Sequence, residues 1–354
     1  MDKVVIAYTG RVDTSVCVHW LKTVKRMKVI AFAADLGQPQ YLEIVGEKAI
    51  RAGTETVHIV DLKERFVRDF VFPALRAAAV YENGYLLSSA LSRPLLAQEL
   101  VRLAQEEDCD FIAHGARGLG NDLVRFERCV HALDSDIAIL APFHELSLKT
   151  PKDDIDYARR QGLPVDHLRH TIYNVEQNLW GTNVQLPIVT GLEMAAPRDA
   201  YILTVPTNEA PERPAEIDIR FERGLPTALD GTQTAPVRLI ETLNALGGRH
   251  GIGRIDTIED RISYAKSREV YEAPAATILY AGLRALAETV LSKECRLFAE
   301  TAARTYGRLV YEGLWFTELR EALDAFFQRC HANSTGSVRM RLYKGNCLVL
   351  GRQQ

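Results

Sequence analysis

The 354-residue chain is 47% hydrophobic and sets 43 Lys+Arg against 46 Asp+Glu, a formal net charge of −3. That is enough apolar content for a large core divided between two domains, and it gives no electrostatic reason to expect nucleic acid or an anionic membrane as a partner. The six cysteines are widely spaced with no C-x-x-C pair, and there is neither a secretory h-region nor a bilayer-length apolar stretch, so the chain reads as a soluble protein of the reducing cytoplasm, without a zinc ribbon or disulfide framework.

Strand-like runs at 3–8, 28–34, 55–60, 110–113 and 137–141 alternate with helix-like segments near 14–26, 41–52, 63–80, 91–107 and 122–133. This is the βαβ rhythm of a doubly wound parallel sheet. Ligands of such sheets sit beyond the carboxyl ends of the strands, which directs attention to Thr9–Ser15, Ala33–Gln38 and Gly115–Asp122. From about residue 150, prolines at 151, 164, 187, 197, 206, 211 and 214 punctuate shorter elements. The fold class is therefore α/β, with a nucleotide-binding domain at 1–166 and a second, α+β domain at 167–354. In the latter, strands are expected at 200–206 and 216–230, the second turning at Gly224-Leu225-Pro226, and helices at 235–248, 275–291, 296–312 and 317–330. A hairpin of Val338–Leu342 and Cys347–Leu350, turning at Lys344-Gly345-Asn346, closes the chain.

The run Val4-Val5-Ile6-Ala7-Tyr8-Thr9-Gly10-Arg11-Val12-Asp13-Thr14-Ser15 passes from a buried-type strand into a small polar turn and then a helix. The first N–H groups of a helix lack internal partners and carry the positive end of its dipole, so they suit a phosphate. Gly10 lets backbone approach an anion, and Thr9, Thr14 and Ser15 add hydroxyls. The spacing and lysine of a Walker A loop are missing; the segment resembles the S-G-G-x-D-[ST]-S pyrophosphate loop of ATP-pyrophosphatases. Taken alone, it fits equally a strand, a tight turn and an Asp or Thr helix cap.

Three further clusters favour the phosphate reading. Ala34-Asp35-Leu36-Gly37-Gln38 follows the second strand, where an adenine commonly rests against backbone. His114-Gly115-Ala116-Arg117-Gly118-Leu119-Gly120-Asn121-Asp122 with Arg125 packs glycines and charges into one loop and helix start, and Gly251-Ile252-Gly253 leads to Glu259 and Glu269-Val270-Tyr271. Together with Tyr85-Leu86-Leu87, Leu91-Ser92-Arg93-Pro94, Asn178-Leu179-Trp180-Gly181 and Thr277-Ile278-Leu279-Tyr280, in this order, the chain resembles the argininosuccinate synthase family.

That resemblance implies an AMP-forming carbon–nitrogen ligase using ATP and Mg²⁺. The ureido oxygen of citrulline, or of a similar acceptor, attacks the α-phosphate to give citrullyl-AMP and pyrophosphate, and the amine of aspartate then displaces AMP. Positioning and charge neutralisation suffice for such chemistry, so no nucleophilic side chain is required. Carried over by position, Ala7, Tyr8, Thr9, Gly10, Arg11, Asp13, Thr14 and Ser15 hold the phosphates, with Ala33 near the adenine and Gly115 touching the nucleotide. Tyr85, Ser89, Arg125, Asn174, Asn183, Glu259 and Tyr271 match the citrulline site, and Arg117, Asn121 and Asp122 the aspartate site. Asp13, Ser15 and Arg125 are the candidate catalytic groups; no metal ligand is assigned.

Several of these positions depart from the family pattern. Arg11 stands where the loop has its second glycine, and Thr9 where it has serine. A residue needing positive φ there would obstruct the phosphates, whereas a guanidinium swung outward would clamp them. Arg117 replaces a threonine, Leu119 a lysine, Asn174 and Asn183 two serines, Glu176-Gln177 an Asp-Glu pair and Glu269 a glycine. The readings left open are argininosuccinate synthesis, a paralogue joining another acceptor and amine, and a binding or regulatory protein without ATP turnover. A tRNA-modifying enzyme is poorly supported by the mild acidity. The chain also stops at Gln354 without the family's C-terminal arm, from which a homo-oligomer is expected, a dimer rather than a tetramer; a stable tetramer in light scattering at micromolar concentration counts against it.

Overall fold

Each of the first five apolar runs becomes a strand followed by a helix, so the chain returns to the same end of the sheet before every new strand. The computed structural model describes residues 1–39, 42–82, 84–118, 120–165, 173–186 and 192–354. β1 (Lys3–Ala7), β2 (Lys28–Asp35), β3 (Thr56–Asp61), β4 (Phe111–Ala113) and β5 (Ala138–Leu140) form one sheet in the order β3-β2-β1-β4-β5. All its pairings are parallel. Val4 and Ile6 pack with Cys17, Val18 and Leu21 of the helix Val12–Thr23 and with Val45 and Ala49 of the helix Leu42–Ala52. Val5, Ile30, Phe32 and Ile112 point the other way and are equally buried. Burial on both faces is why these strands read as continuous apolar runs rather than alternating ones.

By packing, the chain divides into residues 1–62 with 93–170, and residues 63–92 with 171–354. Residues 63–92 thus belong with the later part of the chain, although their place in the βαβ order had put them with the earlier part. The helix expected at 63–80 runs as Lys63–Phe66, a π-helical turn Val67–Val71, and Phe72–Arg76. The sequence-stated boundary at 166/167 and Leu119 lie outside the described residues.

The strands of the second unit are β6 (Asn174–Asn178), β7 (Gly181–Leu186), β8 (Ala215–Glu222), β9 (Leu225–Leu229), β10 (Thr232–Gln233), β11 (Arg254–Asp260), β12 (Lys266–Glu272), β13 (Gly336–Tyr343) and β14 (Asn346–Gln353). They form two antiparallel sheets, β10-β9-β8-β13-β14 and β11-β12-β7-β6. The helices Pro236–Arg249, Pro274–Val290, Lys293–Tyr311 and Glu318–Cys330 fall where the sequence places them, and the whole is the expected α/β chain with a parallel sheet and a second α+β unit.

Two local expectations are corrected. No strand forms at 200–206: Arg198–Ala200 is a 3₁₀ turn, and the amides of Ile202, Leu203 and Thr204 donate to the Glu272 carboxylate instead of to a neighbouring strand. The β8–β9 turn is centred on Arg223-Gly224, with φ of 51° and 78°, so Leu225 and Pro226 already lie in β9. Both central residues of a type I′ hairpin need positive φ, and Lys344-Gly345 closes β13–β14 in the same way at 44° and 83°.

Candidate functional site

The parallel sheet reverses its order at β1, which has β2 on one side and β4 on the other. The crevice beyond such a switch point is where open α/β sheets bind ligands. Tyr8 continues the ladder past Ala7 by donating its amide to the Phe32 carbonyl at 2.8 Å, and its phenol meets Ser15 Oγ at 2.7 Å. The chain then turns at Gly10, whose φ is +75°; a Cβ there would lie 2.8 Å from Val45 Cγ2. Arg11 is the N-cap of the helix Val12–Thr23 and makes no side-chain cap bond. The hydroxyls of Thr14 and Ser15 instead donate back to its carbonyl, each at 3.1 Å, while Thr9 Oγ1 lies 3.1 Å from Thr14 Oγ1. These bonds tie residues 8–15 into a closed hook at a helix N-terminus, with Asp13 in the first turn accepting the Thr14 amide at 2.7 Å.

The backbone at Arg11 is free of the positive-φ strain raised by its substitution. Its φ and ψ are −82° and 164°, extended backbone open to any residue. The left-handed step belongs to Gly10 alone. The Arg11 side chain is half-exposed, with Nε 3.6 Å from Asp13 Oδ2, so the guanidinium leaves the backbone path and stays beside the helix start.

The other nucleotide candidates converge on the same crevice. A Cβ on Gly115, just past β4, would stand 3.0 Å from Thr14 Cγ2, which is why glycine serves there. Ala33 is buried within β2 and offers backbone rather than side chain. Beyond it Gln38 closes a turn, accepting the Leu36 amide at 2.8 Å and donating to the Ala34 carbonyl at 2.6 Å.

Asn121 and Asp122 open the helix Asn121–Leu133 behind the N-cap Gly120. Asp122 accepts from Arg93 Nη2 at 2.7 Å and from the buried Arg125 Nη1 at 3.1 Å, so its carboxylate is held by two guanidinium groups. Arg117 joins neither: it is paired with Asp154, donates to the Leu148 carbonyl at 3.4 Å and lies 3.5 Å above the Phe143 ring. The side chain expected among the aspartate-binding groups is thus held by an ion pair with the buried Asp154 and by a cation–π contact. Arg93 and Asp154 were not singled out as functional by sequence; both pairings span some thirty positions, beyond any local motif.

In the second unit, the sheet β11-β12-β7-β6 sorts its side chains by period two. Tyr271 pairs with Asn183 and Ile255, Glu259 with Ser267, Glu269 with Thr257 and Gln185, and Asn174 with Gln185. Paired residues share a face, so Asn174, Asn183, Glu259, Glu269 and Tyr271 all stand on one side. On the other, Val184, Leu186 and Val270 form a small core with Ala200. Tyr85 stacks on Tyr271 with centroids 4.1 Å apart, and its phenol lies 2.8 Å from Ser89 Oγ while accepting the Ser89 and Ala90 amides. Glu259 is buried and accepts from Tyr271 at 2.5 Å and from Tyr311 at 2.7 Å. Tyr311 stacks on Tyr81 at 3.5 Å. Neither was expected from sequence, because their link to Glu259 exists only once the helix Lys293–Tyr311 is packed.

The comparisons with known proteins match the chain in two consecutive stretches. Residues 3–164 match the model of the arginosuccinate synthase N-terminal HUP domain, and residues 173–354 that of the arginosuccinate synthase C-terminal domain. The chain belongs to the argininosuccinate synthase family. It is a ligase of that family. Argininosuccinate synthases of Carboxydothermus hydrogenoformans, Desulfitobacterium hafniense and Aquifex aeolicus are 46%, 45% and 44% identical to it, over 99% of this chain and 87–88% of theirs. A solved predicted subunit of tRNA methyltransferase from Methanocaldococcus jannaschii matches at 16% identity and TM-score 0.32 over 45% of this chain and 76% of that one, too low to carry any argument.

Glu269 is buried on the same polar sheet face. Burial and then the Glu259 charge raise its carboxyl to about 7, against the opposing effects of Ser267 and Arg261. Glu176 faces it from β6 and raises it further. A carboxyl raised in the folded state stabilises below its unfolded value near 4.5 and loses that contribution as pH rises through 7, a change on the order of 3 kcal/mol. Glu269→Gln, neutral throughout, is therefore expected to gain stability over the parent between pH 5 and pH 8, as read by urea midpoints. Parallel profiles for the two proteins would refute this.

Proposed function

We propose that this ligase joins a ureido acceptor of the citrulline type to the amine of aspartate or a close analogue, converting ATP to AMP and pyrophosphate. The observation that carries the reading is the hook at residues 8–15, a helix N-terminus lined with hydroxyls at the switch point of the parallel sheet. The acceptor's ureido oxygen attacks the α-phosphorus, the α–β phosphoanhydride bond breaks, and pyrophosphate leaves. The amine nitrogen then attacks the activated ureido carbon, the C–O bond to AMP breaks, and the nitrogen loses its proton. In this scheme the helix-start amides with Thr14 and Ser15 bind the triphosphate, Ala33 and Gly115 give the nucleotide close backbone approach, and Asn121 and Asp122 orient the amine substrate. Arg125 neutralises charge, while Tyr85, Ser89, Asn183, Glu259 and Tyr271 hold the acceptor.

Mg²⁺ fits as a companion of ATP. Among the described residues no group of three or more His, Cys, Asp or Glu side chains forms a cage, and Mg²⁺ usually keeps waters and takes one or two carboxylates with the nucleotide phosphates. Asp13 is the carboxylate within the hook, and the ion supplies charge neutralisation at the phosphates.

The test is incubation with Mg-ATP, citrulline and aspartate, following AMP, pyrophosphate and argininosuccinate together by mass spectrometry. Equal amounts of all three are expected. AMP at the level of the no-enzyme control would overturn the reading for this substrate pair, and AMP that appears only with another acceptor would move it to a paralogous reaction.

A further inference from the structure

Among the described residues, three polar groups on the face shared by β11, β12 and β7 make no hydrogen bond of regular geometry: Glu269 Oε2, Ser267 Oγ and Asn183 Oδ1. Glu269 and Ser267 are at least nine-tenths buried. They are neighbours two residues apart on β12, and Asn183 is diagonal to Glu269, opposite Tyr271. The Ser267 hydroxyl acts on the Glu269 carboxyl as a hydrogen-bonding neighbour and lowers it, though without a bond of regular geometry. Leaving such groups unsatisfied costs about 1–3 kcal/mol each, and native proteins rarely retain them without a use.

Glu259 is not the spare group here, because its two oxygens already receive Tyr271 and Tyr311. Glu269 differs: its paired cation is Arg261, whose Nη2 stands 3.6 Å from Oε1, and among the described residues none donates to Oε2 with regular geometry. A carboxylate, an amide oxygen and a hydroxyl offer three acceptors to one guest. The matching chemistry is a primary ammonium, which has three N–H donors and no acceptor, while a carboxylate would be repelled by Glu269 and Glu259.

We propose that Glu269, with Ser267 and Asn183, reads a primary ammonium group on the acceptor substrate and so sets acceptor specificity; this rests on reading that sheet face as the acceptor site. Glu269 binds and selects, and takes no part in bond making.

The full chain, its Glu269→Gln variant and its Glu269→Gly variant are titrated calorimetrically with citrulline and with 5-ureidopentanoate, which lacks only the α-ammonium. The parent is expected to prefer citrulline at least ~10-fold. In both variants that preference should fall below ~3-fold through weaker citrulline binding, with 5-ureidopentanoate unchanged. Equal weakening of both ligands would assign Glu269 a structural role and overturn the proposal. So would an unchanged preference, or a parent that does not bind citrulline. AMP release is not read, so a chain that shows the expected preference but no turnover fails the proposed reaction and leaves this inference standing.

Discussion

Replacing Gly10 by valine is expected to cut Mg-ATP-dependent AMP release by about 10²-fold or more, the scale of a misplaced reacting group, while the parallel sheet stays folded. Two features of the turn set the size of the effect. The backbone at Gly10 has φ +75°, a region that costs an L-residue roughly 1–2 kcal/mol and is a genuine outlier for a β-branched side chain. The added Cβ would also lie 2.8, 3.2 and 3.3 Å from three atoms of the Val45 side chain, which is itself part of the core beneath the sheet. The helix Leu42–Ala52 does not give way cheaply, so the hook moves.

The hook has little room to move without losing its chemistry. Thr9, Thr14, Ser15 and the Arg11 carbonyl hold one another within 3.1 Å, so a shift at Gly10 re-aims the helix-start amides. Relieving the contact alone, by Val45→Ala in the Gly10→Ala background, is expected to recover only part of the rate, because the left-handed strain persists. AMP release measured beside thermal unfolding distinguishes the outcomes: activity within about threefold of the parent in a folded Gly10→Val protein would remove the hook from the nucleotide site. Arg11→Gly is the contrasting control. The backbone at 11 is extended, so that change relieves no strain.

The contrast between Gly10 and Arg11 marks how far sequence reaches. The strand–turn–helix rhythm of the first unit was legible because both faces of its sheet are buried, and uninterrupted apolar runs announce themselves. The hook was legible as chemistry, yet which of two adjacent positions bears the positive φ required the backbone. In the second unit β6, β7, β11 and β12 went unread. Segments such as Lys266-Ser267-Arg268-Glu269-Val270-Tyr271-Glu272 have polar groups on both faces and are nevertheless buried from Ser267 onward. Hydrophobic periodicity has nothing to report where the buried face is polar. Family resemblance supplied Asn183, Glu259 and Tyr271 there, but not Tyr311 or the pairing of Arg117 with Asp154, since each depends on partners distant in sequence.

Glu272→Ala is expected to destabilise the second unit by about 4 kcal/mol, within the range seen when a buried polar network loses its central acceptor. Glu272 is completely buried and receives the amides of Ile202, Leu203 and Thr204 at 2.6, 3.0 and 2.8 Å, the Thr204 hydroxyl at 2.6 Å and the Thr182 hydroxyl at 3.3 Å. One carboxylate therefore does the work of a missing β-ladder for the segment that sequence had assigned to a strand. Truncation strands three backbone donors where water has no ready access. Glu272→Gln is expected to lose nearly as much, because its NH₂ end turns a donor toward donors whichever way it points. The adjoining bonds from Arg254 to the Thr204 hydroxyl and carbonyl, at 2.6 and 2.8 Å, loosen with it. Under the proposed function the effect extends to acceptor binding, because Tyr271 is the next residue back on β12 and stands on the polar face. Hydrogen exchange provides the local reading: the Ile202, Leu203 and Thr204 amides should lose protection together in either variant. Protection kept at parental levels, or a urea-derived loss below about 1 kcal/mol, would show that the segment is held by something other than Glu272.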